Sequence, residues 1–283
     1  MTAAQRIIKY FALALAAIVI AAIIGGCALG LYIAGNITGL IKNDAYVMEN
    51  AEVISGDTKE VKSLNVELGA TNFVIKESDE FKVETNKSNV TFEDKEGDVT
   101  IKENGGSWFN FGANSGGLTI YVPKELDPFE NVVIKNGTGA FTADKIETKE
   151  LRFELGTGAV KINELNVTGR ADIDGGVGKI EILGGKINDL DLDLGVGGTS
   201  LKTELTGNSS IDSGVGGLDI TLIGSRKDYE IKADKGIGGI NIDGQDVGDD
   251  QTIGNGASKL NISGGIGGIN VRFEKKPETK KAE

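Results

Sequence analysis

Two pairs of carboxylates, Asp172 with Asp174 and Asp191 with Asp193, are the residues whose type and spacing come nearest to chemistry. Paired acids can split a glycosidic bond, one protonating the leaving oxygen while the other attacks or activates water. Each pair, however, brackets an apolar residue, Ile173 or Leu192. Residues two apart on a strand share a face, so both carboxylates of a pair stand outward, where charge serves solubility. Neither an aromatic platform nor an arginine is read there as positioning a sugar. Histidine is absent, which removes the Ser-His-Asp and Cys-His nucleophile systems and the common zinc site built on His and Cys. No catalytic residue, cofactor or metal is therefore expected.

The Gly-x-Gly signals are a second chemical candidate. A dinucleotide loop needs a helix after the glycines, and here every copy leads into another strand. A calcium β-roll needs a nine-residue repeat with aspartate in sixth position, and in Gly175-Gly176-Val177-Gly178-Lys179-Ile180 that place holds Ile180. A third candidate is the stretch from Gly105 to Gly112, where Trp108, Phe109 and Phe111 concentrate the chain's one tryptophan with two phenylalanines. Such a cluster could contact a partner, or fold back over an edge.

The elements that position these residues follow from the glycines. Gly137-Thr138-Gly139, Gly156-Thr157-Gly158, Gly176-Val177-Gly178, Gly195-Val196-Gly197 and Gly214-Val215-Gly216 recur at intervals of 19, 20, 19 and 19 residues, and looser copies start at Gly236 and Gly265. A period near twenty marks a solenoid. Alternating runs flank the glycines, such as Leu190-Asp191-Leu192-Asp193-Leu194 before and Leu218-Asp219-Ile220 after, so each repeat holds at least two half-buried strands joined at a glycine corner. The expected fold is all-β, a parallel β-solenoid in the form of a right-handed β-helix. Its rungs hold about 19–20 residues, and about ten of them make a rod on the order of 50 Å. Residues 60–273 form this domain, with an irregular cap and first rungs over 60–135 and regular repeats over 136–273. Residues 35–59 read as a linker and 274–283 as a disordered charged tail. Gly 42 against Pro 3 fits turns rather than a disordered linker.

The first residues have a different chemistry. From Phe11 to Ala34 the chain runs without a charge, long enough as a helix to cross a bilayer. Arg6 and Lys9 precede it, which puts residues 1–10 in the cytoplasm and the repeats outside the cell. A cleaved signal peptide and a lipoprotein, from the lipobox-like Ile24-Gly25-Gly26-Cys27, are the competing readings. Gly26 and Gly30 match the Gly-x-x-x-Gly spacing that brings membrane helices together, a candidate homodimer contact. Cys27 is the one cysteine, so the repeats carry no disulfide. A net charge of −12 argues against nucleic acid as a partner.

The membrane segment followed by Leu155-Gly156-Thr157-Gly158, Leu194-Gly195-Val196-Gly197-Gly198 and Ser213-Gly214-Val215-Gly216-Gly217-Leu218 resembles the bacterial putative adhesin family, over roughly residues 60–273. The resemblance implies an extracytoplasmic β-strand-repeat domain of unknown function, sometimes linked to envelope-stress signalling, and supplies no catalytic residues. The function expected is a non-catalytic, membrane-anchored surface interaction or envelope structural module whose partner is an envelope protein or a cell-wall or surface glycan. An envelope-stress sensor acting through a protein partner is the alternative, and a carboxylate-based polysaccharide-acting enzyme a further one.

Overall fold

A computed structural model describes residues 48–56, 58, 60–105 and 116–276. The proposed membrane segment 11–34, with Gly26, Cys27 and Gly30, lies outside them, as do Trp108, Phe109 and Phe111. Among the described residues no helix is long and apolar enough to cross a membrane.

Alternation of apolar and polar residues makes these segments strands, and the in-register pairing of apolar positions makes them a stack. On one face nine strands lie side by side and parallel. They are Asp98–Glu103, Ser63–Ala70, Phe129–Thr138, the middle of Phe141–Val167, Ala171–Asp174, Leu190–Asp193, Asn208–Asp212, Ser258–Ser263 and Tyr229–Asp234. Their inward residues form one continuous column: Ile101, Val66, Ile134, Phe153, Ile173, Leu192, Ile211, Ile262 and Ala233, all buried. A second column past the glycine corner runs Val160, Ile180, Thr199, Leu218, Ile269 and Ile240. A one-residue slip would turn a whole strand's apolar set to solvent, so each column fixes the register of the next. Full burial of each Leu or Ile contributes about 1.5–3 kcal/mol. Three aromatics pack together in the core: Phe73 stacks on Phe141 at 4.8 Å and Phe153 meets Phe141 edge-on at 5.8 Å.

Eight spacings of about 4.8 Å give a stack of about 38 Å, shorter than the sequence suggests, because some alternating segments are not rungs. Lys82–Thr85 and Val90–Lys95 run antiparallel along the outermost strands Gly117–Pro123 and Asp98–Glu103. At the other end Gln251–Gly254 and Gln245–Asp246 run antiparallel to Tyr229–Asp234 and Ile240–Ile242. Stack order also departs from chain order at both ends. Ser63–Ala70 sits inside Asp98–Glu103, and the last strands of the chain, Ser258–Ser263 and Ile269–Glu274, insert between Asn208–Ile223 and the later-stacked 229–242. Glu274, placed by the sequence in the charged tail, is the final residue of a strand, and Lys276 pairs with Glu204 at 2.8 Å. Tyr229 closes this end of the core, its hydroxyl donating to Ile223 O at 3.0 Å. Burial pushes its phenol up to about 12.

Candidate functional site

Parallel pairing brings the two acid pairs together. Asp172 lies opposite Asp191 and Asp174 opposite Asp193, and Asp212, which the sequence does not single out, lies opposite Asp193 on the next strand. Arginines are present too, contrary to the sequence reading, because the neighbouring rung supplies one from about twenty residues upstream. Arg152 Nη1 is 3.6 Å from Asp172 Oδ2, its Nη2 is 3.9 Å from Asp174 Oδ2, and its Nε donates to Glu154 at 3.0 Å. Arg170 Nη2 donates to Asp191 at 2.6 Å. Burial, then the charges of Asp212, Asp191 and Asp174, push the Asp193 carboxyl above its ordinary value. A glycosidase pair flanks a bound sugar with its two carboxyl groups free to act, whereas Asp172, Asp174 and Asp191 are solvent-exposed and face Arg152 and Arg170. Among the described residues no group of three acids is arranged to hold a metal. The arrangement supports a charged, solvated face.

The second feature is the glycine corner. Gly137, Gly156, Gly176, Gly195 and Gly214 stack in one column, and Gly139, Gly158, Gly178, Gly197 and Gly216 in another, each so close to the preceding rung that a Cβ would overlap its backbone carbonyl. Gly197 shows why other residues fail: its φ is +147° and its Cβ would overlap the Gly178 carbonyl. All ten predicted turn glycines thus lie in one corner. Between the columns the central residues make an outer ridge, Ala70, Thr138, Thr157, Val177, Val196, Val215, Ile266 and Ile237. Ile266 and Ile237 are 52% and 74% exposed.

The end of this corner near Gly69 has a polar cap that the sequence does not reveal. There the turn is Gly69-Ala70-Thr71, and among the described residues no further Gly-x-Gly turn stacks beyond it. Glu103 Oε2 instead accepts from Gly69 N at 2.8 Å, Ala70 N at 3.2 Å and Thr71 Oγ1 at 2.8 Å. Lys87 Nζ donates to Ala70 O at 2.8 Å, to Thr71 Oγ1 at 2.9 Å and to Glu103 Oε1. The Lys87 and Glu103 side chains are 13% and 4% exposed. Burial alone would raise the Glu103 carboxyl, but the bonds from Lys87, Thr71 and the Gly69 amide outweigh it and hold it below its ordinary value. Capped by the Glu103 carboxylate, position 71 carries a side chain where the rungs below need glycine. The flanks of the Trp108 stretch reach the same end: Gly117 N donates to Asn86 Oδ1 at 2.8 Å, and Asn104 N to Asn89 O at 2.8 Å.

Cavities along the corner are about 10 and 20 Å³, the larger walled by Asn136, Leu155, Gly156 and Val160, and a third of about 30 Å³ lies between Glu77, Leu126 and Lys145. These hold a water at most, against some 300–1,000 Å³ for a small-molecule site.

Solved structures resemble the chain over most of its length. A putative cell adhesion protein from Clostridium sporogenes is 22% identical, with 80% of this chain and 99% of that one covered and a TM-score of 0.37. A putative adhesin from Bacteroides fragilis is 15% identical, with 79% and 97% covered and a TM-score of 0.41. A putative adhesin from Parabacteroides merdae is 12% identical, with 81% and 98% covered and a TM-score of 0.40. No curated protein matches the chain. The model of the Toastrack DUF4097 family matches residues 61–253, and with its glycine-cornered stack of parallel strands the chain belongs to that family.

Proposed function

We propose that this chain is a non-catalytic surface interaction or envelope structural module, tethered by residues 11–34 and displayed outside the cell, with the stacked strands acting as a stiff stalk. The observation that carries this reading is the shape of the domain. The strands pair in register for about 38 Å, the acids lie in a plane, and the cavities around the corner admit only water. Such a body offers faces and edges to a macromolecule. The partner on this reading is an envelope protein or a cell-wall or surface glycan, contacted through Trp108, Phe109 and Phe111. Glycans are recognised by aromatic rings and polar groups, and the described faces near the corner carry no ring.

The test is retention of the full chain, in a non-ionic detergent, on purified cell wall and surface glycans, beside a Trp108→Ala variant. Retention by the parent and its loss in the variant is the expected result. Equal behaviour of the two forms would remove the Trp108 contact, and no retention of either would remove a wall or glycan partner.

A further inference from the structure

Residues 49–55 are fixed at one extreme of the stack. Glu52–Val53 runs antiparallel to Lys82–Thr85, which itself lies outside Gly117–Pro123, the outermost parallel strand on that side. Further bonds hold the segment there: Ile54 N donates to Val83 O at 2.9 Å, Ser55 Oγ accepts from Val83 N at 3.1 Å, and Glu49 O accepts from Asn86 Nδ2 at 3.5 Å. Val83, which these bonds grip, is itself a buried core residue, so the attachment is to the body of the domain. The opposite extreme is made of Tyr229–Asp234 and the antiparallel Gln251–Gly254. The two extremes lie at least about 38 Å apart.

We propose that the stack is carried end-on: the end built from Glu52–Val53, Lys82–Thr85 and Val90–Lys95 faces the bilayer, and the end built from residues 229–254 is presented outward. The proposal rests on the reading of residues 11–34 as a membrane anchor. Three observations select this orientation. First, the tether joins the domain at its extreme. Residues 35–48 reach at most about 46–50 Å fully extended, and a flexible coil of that length averages about 19–22 Å, so the attached end is the nearer one. Second, the body turns as a unit, because its rungs pair in register and antiparallel strands close both ends. A rigid body pivoting on one end beside a plane it cannot enter holds its free end farther out on average. Third, lying on its acidic side would press Asp172, Asp174, Asp191, Asp193 and Asp212 against the headgroups and strip water from their carboxylates. A partner approaching from outside therefore meets residues 229–254 first, and the cap formed by Glu103 and Lys87 lies on the membrane side.

The full chain with Cys27→Ala tests this by energy transfer, in phosphatidylcholine nanodiscs that carry an acceptor dye on a fraction of the headgroups. A donor dye is attached in turn through Glu93→Cys, Lys179→Cys and Asp250→Cys, exposed positions near the cap, in the middle and at the far end. Transfer should fall in that order and be at least about twofold greater from Glu93→Cys than from Asp250→Cys, as fits sites at least about 38 Å apart along the stack. The far-ultraviolet circular dichroism of each variant should stay that of the parent. Equal transfer from the three sites, or the greatest from Asp250→Cys, in chains that co-elute with the discs would overturn the orientation and leave the anchor standing. Chains that do not enter the discs would overturn the anchor reading and the orientation with it.

Discussion

Alanine at Gly197 and at its neighbour Gly198 should move stability in opposite directions. At Gly197, φ is +147°, a region nearly closed to L-residues, and the new methyl would press on the Gly178 carbonyl of the adjoining rung. Holding a non-glycine residue in such a region costs about 1–3 kcal/mol, and overpacking against a backbone that its own hydrogen bonds fix adds about 1–3 kcal/mol. The sum, about 2–6 kcal/mol, is a large part of the roughly 5–15 kcal/mol that holds a domain together. At Gly198 a methyl meets nothing within 4 Å and the backbone is unstrained. There the smaller entropy of the unfolded chain should stabilise by about 0.4–1 kcal/mol. Urea unfolding followed by far-ultraviolet circular dichroism, at micromolar protein so that copies stay apart, gives both values from the shift in midpoint. Two variants within about 1 kcal/mol of each other would show that the rungs can separate to admit a side chain, and the argument from close stacking would fail.

Three further outcomes follow from polar groups. Asn136, 5% exposed and in the column between Leu68 and Leu155, has no partner for its Oδ1, so Asn136→Leu should raise stability by about 1–2 kcal/mol in the same urea assay. Lys87→Ala strands the buried Glu103 carboxylate and should cost about 3–5 kcal/mol, whereas the double variant with Glu103→Leu should recover much of that, a coupling that a double-mutant cycle measures. Acid should act oppositely on two carboxylates. Glu103 is held low, so its stabilisation is complete above the unfolded carboxylate range and is lost as pH falls through its folded value, and Glu103→Gln should converge with the parent in acid. Asp193 is held high, so its ionised form weakens the fold at neutral pH. Asp193→Asn should outlast the parent in urea at pH 7, and the advantage should vanish by about pH 3.

What the sequence reveals of this protein is what repeats. The glycine pairs at Gly176 and Gly195 announce a corner because stacking leaves no room for a Cβ, and the runs around Ile173 and Leu192 announce strands because one face must be buried. What it hides is whatever depends on which rung lies beside which. Lys82–Thr85 and Val90–Lys95 alternate like rungs but run antiparallel, since alternation encodes a buried face and not a direction. The position of 258–274 inside 229–242 is likewise invisible, as equivalent columns accept either neighbour. Among the candidate site residues, the carboxylate pairs were legible as outward residues, but Asp212 and Arg152 join them only through pairing some twenty residues away. Glu103 and Lys87 look like two more surface charges until the turn at Gly69 is set between them.

The two ends of the stack bear on whether it can grow. A solenoid left open would show a row of parallel-pairing groups that invites another rung and so a fibre. In this chain both ends turn over: the outermost rungs carry antiparallel strands rather than a further parallel rung. Val90–Lys95 ends in the exposed charged residues Glu93, Asp94 and Lys95, and Gln251–Gly254 is four residues long, both features that blunt an edge. Threading a sequence-distant segment behind the last rung at each end also ties the terminal rungs to the interior, so that they cannot peel away singly. End-to-end growth is thereby disfavoured, and the acidic face repels its like.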